Sequence, residues 1–161
     1  MYQASRKHRK AFSLIELVIV IVIIGVISAI AIPRMTRGAQ NAGATALKGS
    51  LSVMRSSIEL YRTEHDGKFP TATSVATALI AYTKIDGSDA NATPDVASGR
   101  IYGPYVRKIP PLPVGLKKNS TGIAATDRAG VGWIYEETTG DIKANCADTE
   151  LDQDGVKYNT Y

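Results

Sequence analysis

Two side chains of this sequence could in principle form a nucleophilic site, Cys146 and His65. A cysteine attacks a carbonyl carbon as its thiolate, and a neighbouring imidazole can take up the proton. The two residues lie 81 positions apart, however, and neither is surrounded by a recognisable nucleophile motif. We therefore expect no enzymatic activity, with His65 at the end of a helix and Cys146 as a small, half-buried residue.

Acidic residues near the C-terminus form a second candidate site, because they recur at every second position and precede Gly155. Carboxylate oxygens in a loop are ligands that Ca²⁺ prefers. The pattern matches an EF-hand loop only in part, since counting twelve places from Glu150 reaches Tyr161 rather than another acid. A solvated acidic segment is therefore the favoured interpretation and a calcium site the alternative, with the candidate ligands Asp148, Glu150, Asp152 and Asp154.

The third candidate is an acid in an apolar segment. Residues 12–32 read FSLIELVIVIVIIGVISAIAI, and Glu16 is the only charge among these 21 residues. As a helix the segment would be about 31 Å long, close to the thickness of a bilayer's hydrocarbon core. The sequence therefore predicts a transmembrane helix that carries one carboxylate.

The bases that flank this segment predict its orientation. Residues 6–10 contain four bases and no acid, whereas only Arg34 and Arg37 closely follow the segment. The positive-inside rule then puts the N-terminus in the cytoplasm and the rest of the chain outside. Those four bases also account for the net charge of +4, because 15 bases and 15 acids remain without them. We therefore expect no nucleic-acid partner.

Three interpretations compete for the apolar segment. Ala29-Ile30-Ala31 has the A-x-A pattern of a secretory signal peptide, which would release a secreted domain after Ala31. A plain signal anchor is the second interpretation. Neither explains Glu16, because a carboxylate costs roughly 2.5 to 3.5 kcal/mol at the centre of a spanning helix and somewhat less near its end. The third interpretation provides this acid with a partner.

Residues 10–16, KAFSLIE, resemble the cleavage motif of type IV prepilins and type II secretion pseudopilins. The resemblance implies that a prepilin peptidase cuts after Ala11 and methylates the new amine of Phe12. It also implies that Glu16 pairs with the N-terminal ammonium of a neighbouring subunit during assembly. The family usually has Gly where this chain has Ala11, so we expect slower cleavage rather than none. G-type pseudopilins bind calcium in a C-terminal loop, but their calcium ligands do not align with this chain residue by residue.

Pro33 is a second match to the family, because many members have a proline 21 positions after the residue that corresponds to Phe12. A proline inside a helix removes a hydrogen bond and produces a kink. The alternative interpretation is that Pro33 simply ends the membrane helix.

Beyond residue 34 the sequence predicts a continuation of the helix that ends at Asp66-Gly67. Apolar residues recur there at spacings of four and three, which predicts a stripe packed against a sheet, formed by Leu47, Leu51, Met54, Ile58 and Tyr61. Residues 61–71 and 103–110 resemble stretches of G-type pseudopilins. After the end of the long helix, the sequence predicts a short second helix and then a polar, variable surface loop over residues 86–99, for which we expect no chemistry.

Two strands at residues 132–136 and 140–144 are predicted to form a β-hairpin. Trp133 and Tyr135 share one face of the first strand, so they are expected in the core, and a ligand platform is the alternative. The predicted fold is α+β, with a long N-terminal helix packed in its second half against a small antiparallel sheet. We expect four parts, which are a leader (1–11), a membrane or filament-core helix (12–33), its amphipathic continuation (34–66) and a globular head (67–161).

The function implied by the resemblance is assembly. The chain is expected in the bacterial inner membrane and then in a periplasmic or surface filament, where it self-associates. Its implied partners are the prepilin peptidase, an inner-membrane assembly platform and minor pilins. A type II secretion pseudopilus is the favoured interpretation. A type IV pilus for adhesion, motility or DNA uptake is the nearest alternative, and a secreted binding domain is a more distant one.

Overall fold

The computed structural model of the protein describes residues 12–161. The chain forms two compact units, one ending at residue 39 and the other comprising residues 40–161. The elements in chain order are helix α1 (Leu14–Glu64), helix α2 (Val75–Ile80), strands β1 (Gly122–Ala124), β2 (Val131–Tyr135) and β3 (Ile142–Ala144), and a 3₁₀ helix (Tyr158–Thr160).

The first part of α1 is an exposed apolar helix. The stretch Leu14–Ile32 is long and apolar enough to cross a membrane, and none of its residues is buried. Because a soluble core helix buries its apolar face, the exposure of so many branched apolar side chains indicates a helix whose surroundings are not its own chain. The candidate span lies within the predicted residues 12–32.

The second part of α1 carries the core of the head unit. All five residues of the predicted stripe are buried, at Leu47, Leu51, Met54, Ile58 and Tyr61. The helix ends close to the predicted Asp66-Gly67, where both residues have a positive φ and the Gly67 N–H donates to the Arg62 carbonyl at 2.9 Å. This bond from the residue beyond the cap back to the last turn satisfies a carbonyl that the helix would leave unpaired.

The predicted hairpin is present as β2 and β3, which pair antiparallel with Trp133 opposite Ala144 and Tyr135 opposite Ile142. The α+β fold class is confirmed, but the sheet is mixed rather than wholly antiparallel. The additional strand β1 lies parallel to β2 on its other side, with a register irregularity between Gly122 and Ile123. A strand of three residues contains too little alternation for a sequence pattern to reveal it.

Trp133 and Tyr135 lie in the core, as predicted, and both are almost fully buried. The Trp133 indole N–H donates to the Pro110 carbonyl at 2.9 Å, and the Tyr135 hydroxyl donates to the Pro70 carbonyl at 3.0 Å. Each ring therefore fills the core with its apolar body and satisfies a backbone carbonyl with its polar tip. Because both rings are buried, they do not form an exposed ligand platform, which was the alternative interpretation.

We predict that Gly140→Ala destabilises the head more than Gly130→Ala. Both glycines have a left-handed backbone, with φ of +76° and +78°, but an added Cβ at Gly140 would overlap the Phe69 ring, whereas nothing lies within 4 Å at Gly130. The left-handed conformation costs about 1–2 kcal/mol in each variant, and the overlap at Gly140 adds roughly 1–3 kcal/mol. Urea unfolding of the full chain in detergent, followed by Trp133 fluorescence, measures the difference. Equal losses in the two variants would contradict the predicted overlap.

Candidate functional site

The predicted assembly acid lies at the start of α1. Glu16 is in the first turn of the helix, and its Oε2 accepts a hydrogen bond from the Ser13 backbone N–H at 2.9 Å. Ser13 directly precedes the helix, so this is the half of a capping box in which the third helical residue bonds back to the N-cap. The bond satisfies a backbone donor that the helix cannot pair, and a negative charge is favourable at this end of the helix dipole.

This capping role of Glu16 is absent from the sequence interpretation, which treated the acid only as a partner for another subunit. The signal was present as Ser13-Leu14-Ile15-Glu16, because Ser followed three places later by Glu before an apolar run is typical of a helix start. One N–H does not exhaust a carboxylate, which has about four acceptor positions. Since Glu16 is also exposed, a cation from outside the chain can still reach it.

The other predicted residues of this site are only partly described. Phe12 is exposed and precedes the helix. Ala11, the leader over residues 1–11 and their bases lie outside the described residues, so the predicted cleavage position has no structural description here. Pro33 lies within α1, which continues to Glu64. Pro33 therefore does not end the helix itself but directly follows the candidate membrane span Leu14–Ile32, and its part in assembly stays a prediction.

His65 is a buried structural residue just beyond the end of α1. The residue is 1% exposed, with Nδ1 2.7 Å from the Tyr61 carbonyl oxygen and Nε2 2.9 Å from the Thr83 hydroxyl. A carbonyl only accepts, so Nδ1 must donate, and in the neutral ring Nε2 accepts from Thr83. The Tyr61 ring stacks on His65 with centroids 3.7 Å apart. The Nδ1 bond thus holds the ring to the last turn of α1, and the Nε2 bond fastens it to the segment that contains Thr83.

Cys146 lies in a half-buried position, as predicted. Burial raises the pKa of its thiol to about 11, and the nearby Glu150 carboxylate contributes to the rise. At neutral pH the residue is therefore protonated, and a protonated thiol is a poor nucleophile. This environment differs from that of an activated cysteine. Both ring nitrogens of His65 are already hydrogen-bonded to other groups.

The C-terminal acids accept hydrogen bonds from their own segment and from a distant turn. Asp148 accepts from Lys157 Nζ at 2.7 Å and from the Asn159 side-chain amide at 2.8 Å, and these two bonds hold the pKa of its carboxyl below the ordinary value. Glu150 accepts from the backbone N–H groups of Ala147 and Leu116, at 2.7 and 2.5 Å. The second of these bonds joins residues that are 34 positions apart.

Asp152 caps the turn that contains Asp154, the last of the four predicted calcium ligands. Its Oδ1 accepts from the backbone N–H groups of Asp154 and Val156, each at 2.8 Å, and its Oδ2 accepts from the Tyr161 hydroxyl. The Tyr161 bond is the main cause that lowers the pKa of the Asp152 carboxyl. Among residues 12–161, no group of three or more His, Cys, Asp and Glu side chains has the arrangement of a metal site. A calcium site formed by the four acids stays a prediction.

Comparison with known proteins supports the interpretation of the N-terminal segment. The family described as "Prokaryotic N-terminal methylation motif" matches residues 6–32, which include Phe12 and Glu16. No solved structure matches the chain.

Three relatives align with part of the chain. The ComG operon protein 3 homolog of Bacillus licheniformis is 32% identical over 63 residues, which are 39% of this chain and 65% of the relative. The competence protein ComGC of Halalkalibacterium halodurans is 30% identical over 64 residues, or 40% of this chain and 62% of the relative. The type II secretion system core protein G of Pseudomonas aeruginosa is 27% identical over 60 residues, or 37% of this chain and 42% of the relative. The chain thus spans less than two thirds of each relative's length.

The methylation motif covers the exposed apolar helix that begins just after Phe12 and carries Glu16 in its first turn, and the relatives include a competence protein and a type II secretion core protein. On these grounds, residues 6–32 are similar to the N-terminal segment of proteins that carry the methylation motif, and part of the chain is similar to competence and type II secretion proteins.

Proposed function

We propose that the protein is a structural subunit of a type IV pilus-like filament and performs no reaction of its own. The observation that carries this proposal is the position of Glu16, a carboxylate in the first turn of an exposed apolar helix that starts two residues after Phe12. An acid at this place is costly for an isolated membrane helix but useful when copies of the helix pack together.

The proposed maturation begins in the membrane. Prepilin peptidase hydrolyses the peptide bond between Ala11 and Phe12, so the apolar helix remains part of the mature subunit. It then transfers a methyl group from a methyl donor to the new amine, which gives up one proton. Methylation keeps the positive charge of the amine. The exposed Phe12 and the methylation motif over residues 6–32 support this step.

The proposed assembly contact is an ion pair between Glu16 of one copy and the Phe12 ammonium of the next. Removing either charge from water alone is costly, and the attraction between the two grows as the local dielectric constant falls. Because the Ser13 N–H bond holds the Glu16 side chain against the helix start, the carboxylate is already oriented before a neighbour arrives. A contact of this kind sets the register between adjacent helices.

The proposed location and partners follow from this assembly. The subunit sits in the bacterial inner membrane by the span at Leu14–Ile32, with its N-terminus in the cytoplasm and its head outside. The proposed partners are the prepilin peptidase, an inner-membrane assembly platform, minor pilins and other copies of the chain. The mature subunit ends in a periplasmic or surface filament.

Two kinds of filament fit the proposal. A type II secretion pseudopilus is favoured by the resemblance of residues 61–71 to G-type pseudopilins, and the relative named type II secretion system core protein G agrees with it. A type IV pilus, including one for DNA uptake, is the second candidate, because two relatives carry names from competence.

The N-terminus of the mature protein tests the proposed maturation. We expect mass spectrometry of the membrane-bound and filament forms to find a chain that begins at N-methylated Phe12, because the peptidase would remove residues 1–11. Ala11→Gly should accelerate this cleavage, since it restores the residue that is usual in the family. A mature soluble chain that begins at Ile32 would instead establish a secreted domain and rule out the filament subunit.

Substitution of Glu16 separates its charge from its capping role. Glu16→Gln can still accept the Ser13 N–H bond but lacks the charge, whereas Glu16→Ala lacks both. We expect both variants to be cleaved and both to lose most filaments in electron micrographs of sheared cells, because neither can pair with an ammonium. Normal filament number in Glu16→Gln would mean that capping rather than ion pairing makes this residue necessary.

A further inference from the structure

The protein supplies its own hydrogen-bond donors to three of the four predicted calcium ligands. Both carboxylate oxygens of Asp148, of Glu150 and of Asp152 accept a bond from another group of the chain. A Ca²⁺ ion takes about six to eight oxygen ligands whose lone pairs point at it. These donors and an ion would therefore compete for the same oxygens. We call residues 146–161 the acidic segment.

Lys157 brings a full positive charge to the first of these acids. Its Nζ lies 2.7 Å from Asp148 Oδ2. The backbone of Lys157 is fixed by an antiparallel bridge to Leu151, so the ammonium is held on the same side of the turn as Asp148. A divalent cation bound at Asp148 would lie close to this ammonium, and the two like charges would repel each other. Lys157 therefore opposes the binding of an ion at this acid.

Asn159 is the second neighbour of Asp148 and turns its amide N–H toward it. Its Nδ2 donates to Asp148 Oδ1 at 2.8 Å and to the Cys146 carbonyl at 3.2 Å. Its Oδ1 is buried and has no hydrogen-bond partner among residues 12–161. If the amide were flipped, three oxygens would face one another, an arrangement that needs a cation between them. The observed orientation is the one that suits a site without a cation.

The other end of the acidic segment is fastened to α1. The Tyr161 hydroxyl donates to Asp152, and Arg55 Nη2 donates to the main-chain oxygen of Tyr161 at 2.5 Å. Lys48 Nζ lies 4.5 Å from the centroid of the Tyr161 ring, which is a cation–π contact. Both bases belong to α1. The segment thus closes onto the helix through side chains of the same chain.

We propose that the Lys157 ammonium takes the place of a calcium ion in this protein, because it neutralises Asp148 and lets the acidic segment close onto α1 without a metal. The calcium site implied by the resemblance to G-type pseudopilins does not fit the donors of this chain. The inference concerns the stability of a single head and is independent of the proposed filament.

Thermal unfolding of the full chain in detergent, followed by Trp133 fluorescence, tests the inference. In EGTA we expect Lys157→Gln to lower the midpoint by roughly 1–5 °C, since the lost ion pair is partly exposed. Millimolar CaCl₂ should then raise the midpoint of this variant, because an ion that binds only the folded state stabilises it. The parent and the control Lys108→Gln, which removes another exposed base, should have the same midpoint in EGTA and in CaCl₂.

A double variant shows whether the calcium response comes from this acid. Asp148→Asn combined with Lys157→Gln lacks both the ammonium and the carboxylate, so its midpoint should not change with calcium. A parent chain that CaCl₂ stabilises as much as Lys157→Gln would overturn the proposal, and so would a Lys157→Gln variant that does not respond to CaCl₂. A response that persists in the double variant would overturn it as well. None of these outcomes bears on the proposed function, because filament formation is not the measurement.

Discussion

A carboxylate among apolar helices needs a hydrogen-bond donor or a cation, and this requirement governs how α1 can be used. Glu16 is the only charge among residues 12–32, and its own helix supplies one donor, the Ser13 N–H. That bond reduces the cost of the acid in the isolated subunit, but it leaves acceptor capacity that a cation can use. The Glu16 side chain therefore caps the start of the helix and, in the proposed filament, pairs with the neighbouring copy.

In the head unit, the polar groups of two buried aromatic side chains bond to segments that cannot join the sheet. Proline lacks a backbone N–H, so proline-containing stretches cannot enter a regular ladder. The indole of Trp133 and the hydroxyl of Tyr135 bond to the carbonyls of Pro110 and Pro70, and both rings are buried in the core. The aromatic residues thus supply apolar volume and also position two irregular segments, which a small three-stranded sheet could not do by itself.

The acids of the head act mainly as local acceptors. Asp86, Asp95 and Asp152 each accept a hydrogen bond from the backbone N–H two residues later. This arrangement orders a turn by mimicking a backbone bond. It explains why an alternating acidic pattern need not indicate a metal site, because the same residue types that bind calcium also stabilise tight turns. Glu150 extends the role over a longer distance, since it holds the exposed Leu116 turn.

Local sequence pattern determined the exposed apolar helix, the buried stripe of α1, the helix end near Gly67, the β2–β3 hairpin and the burial of Trp133 and Tyr135. Each of these depends on periodicity or turn chemistry within about ten neighbouring residues. Only the tertiary structure decided the parallel strand β1, the bonds from the Trp133 and Tyr135 side chains to proline carbonyls, and the bond between Glu150 and Leu116. These features join segments that are separated along the chain. Their free energy depends on which groups meet after folding, and a short window of residues does not contain that information.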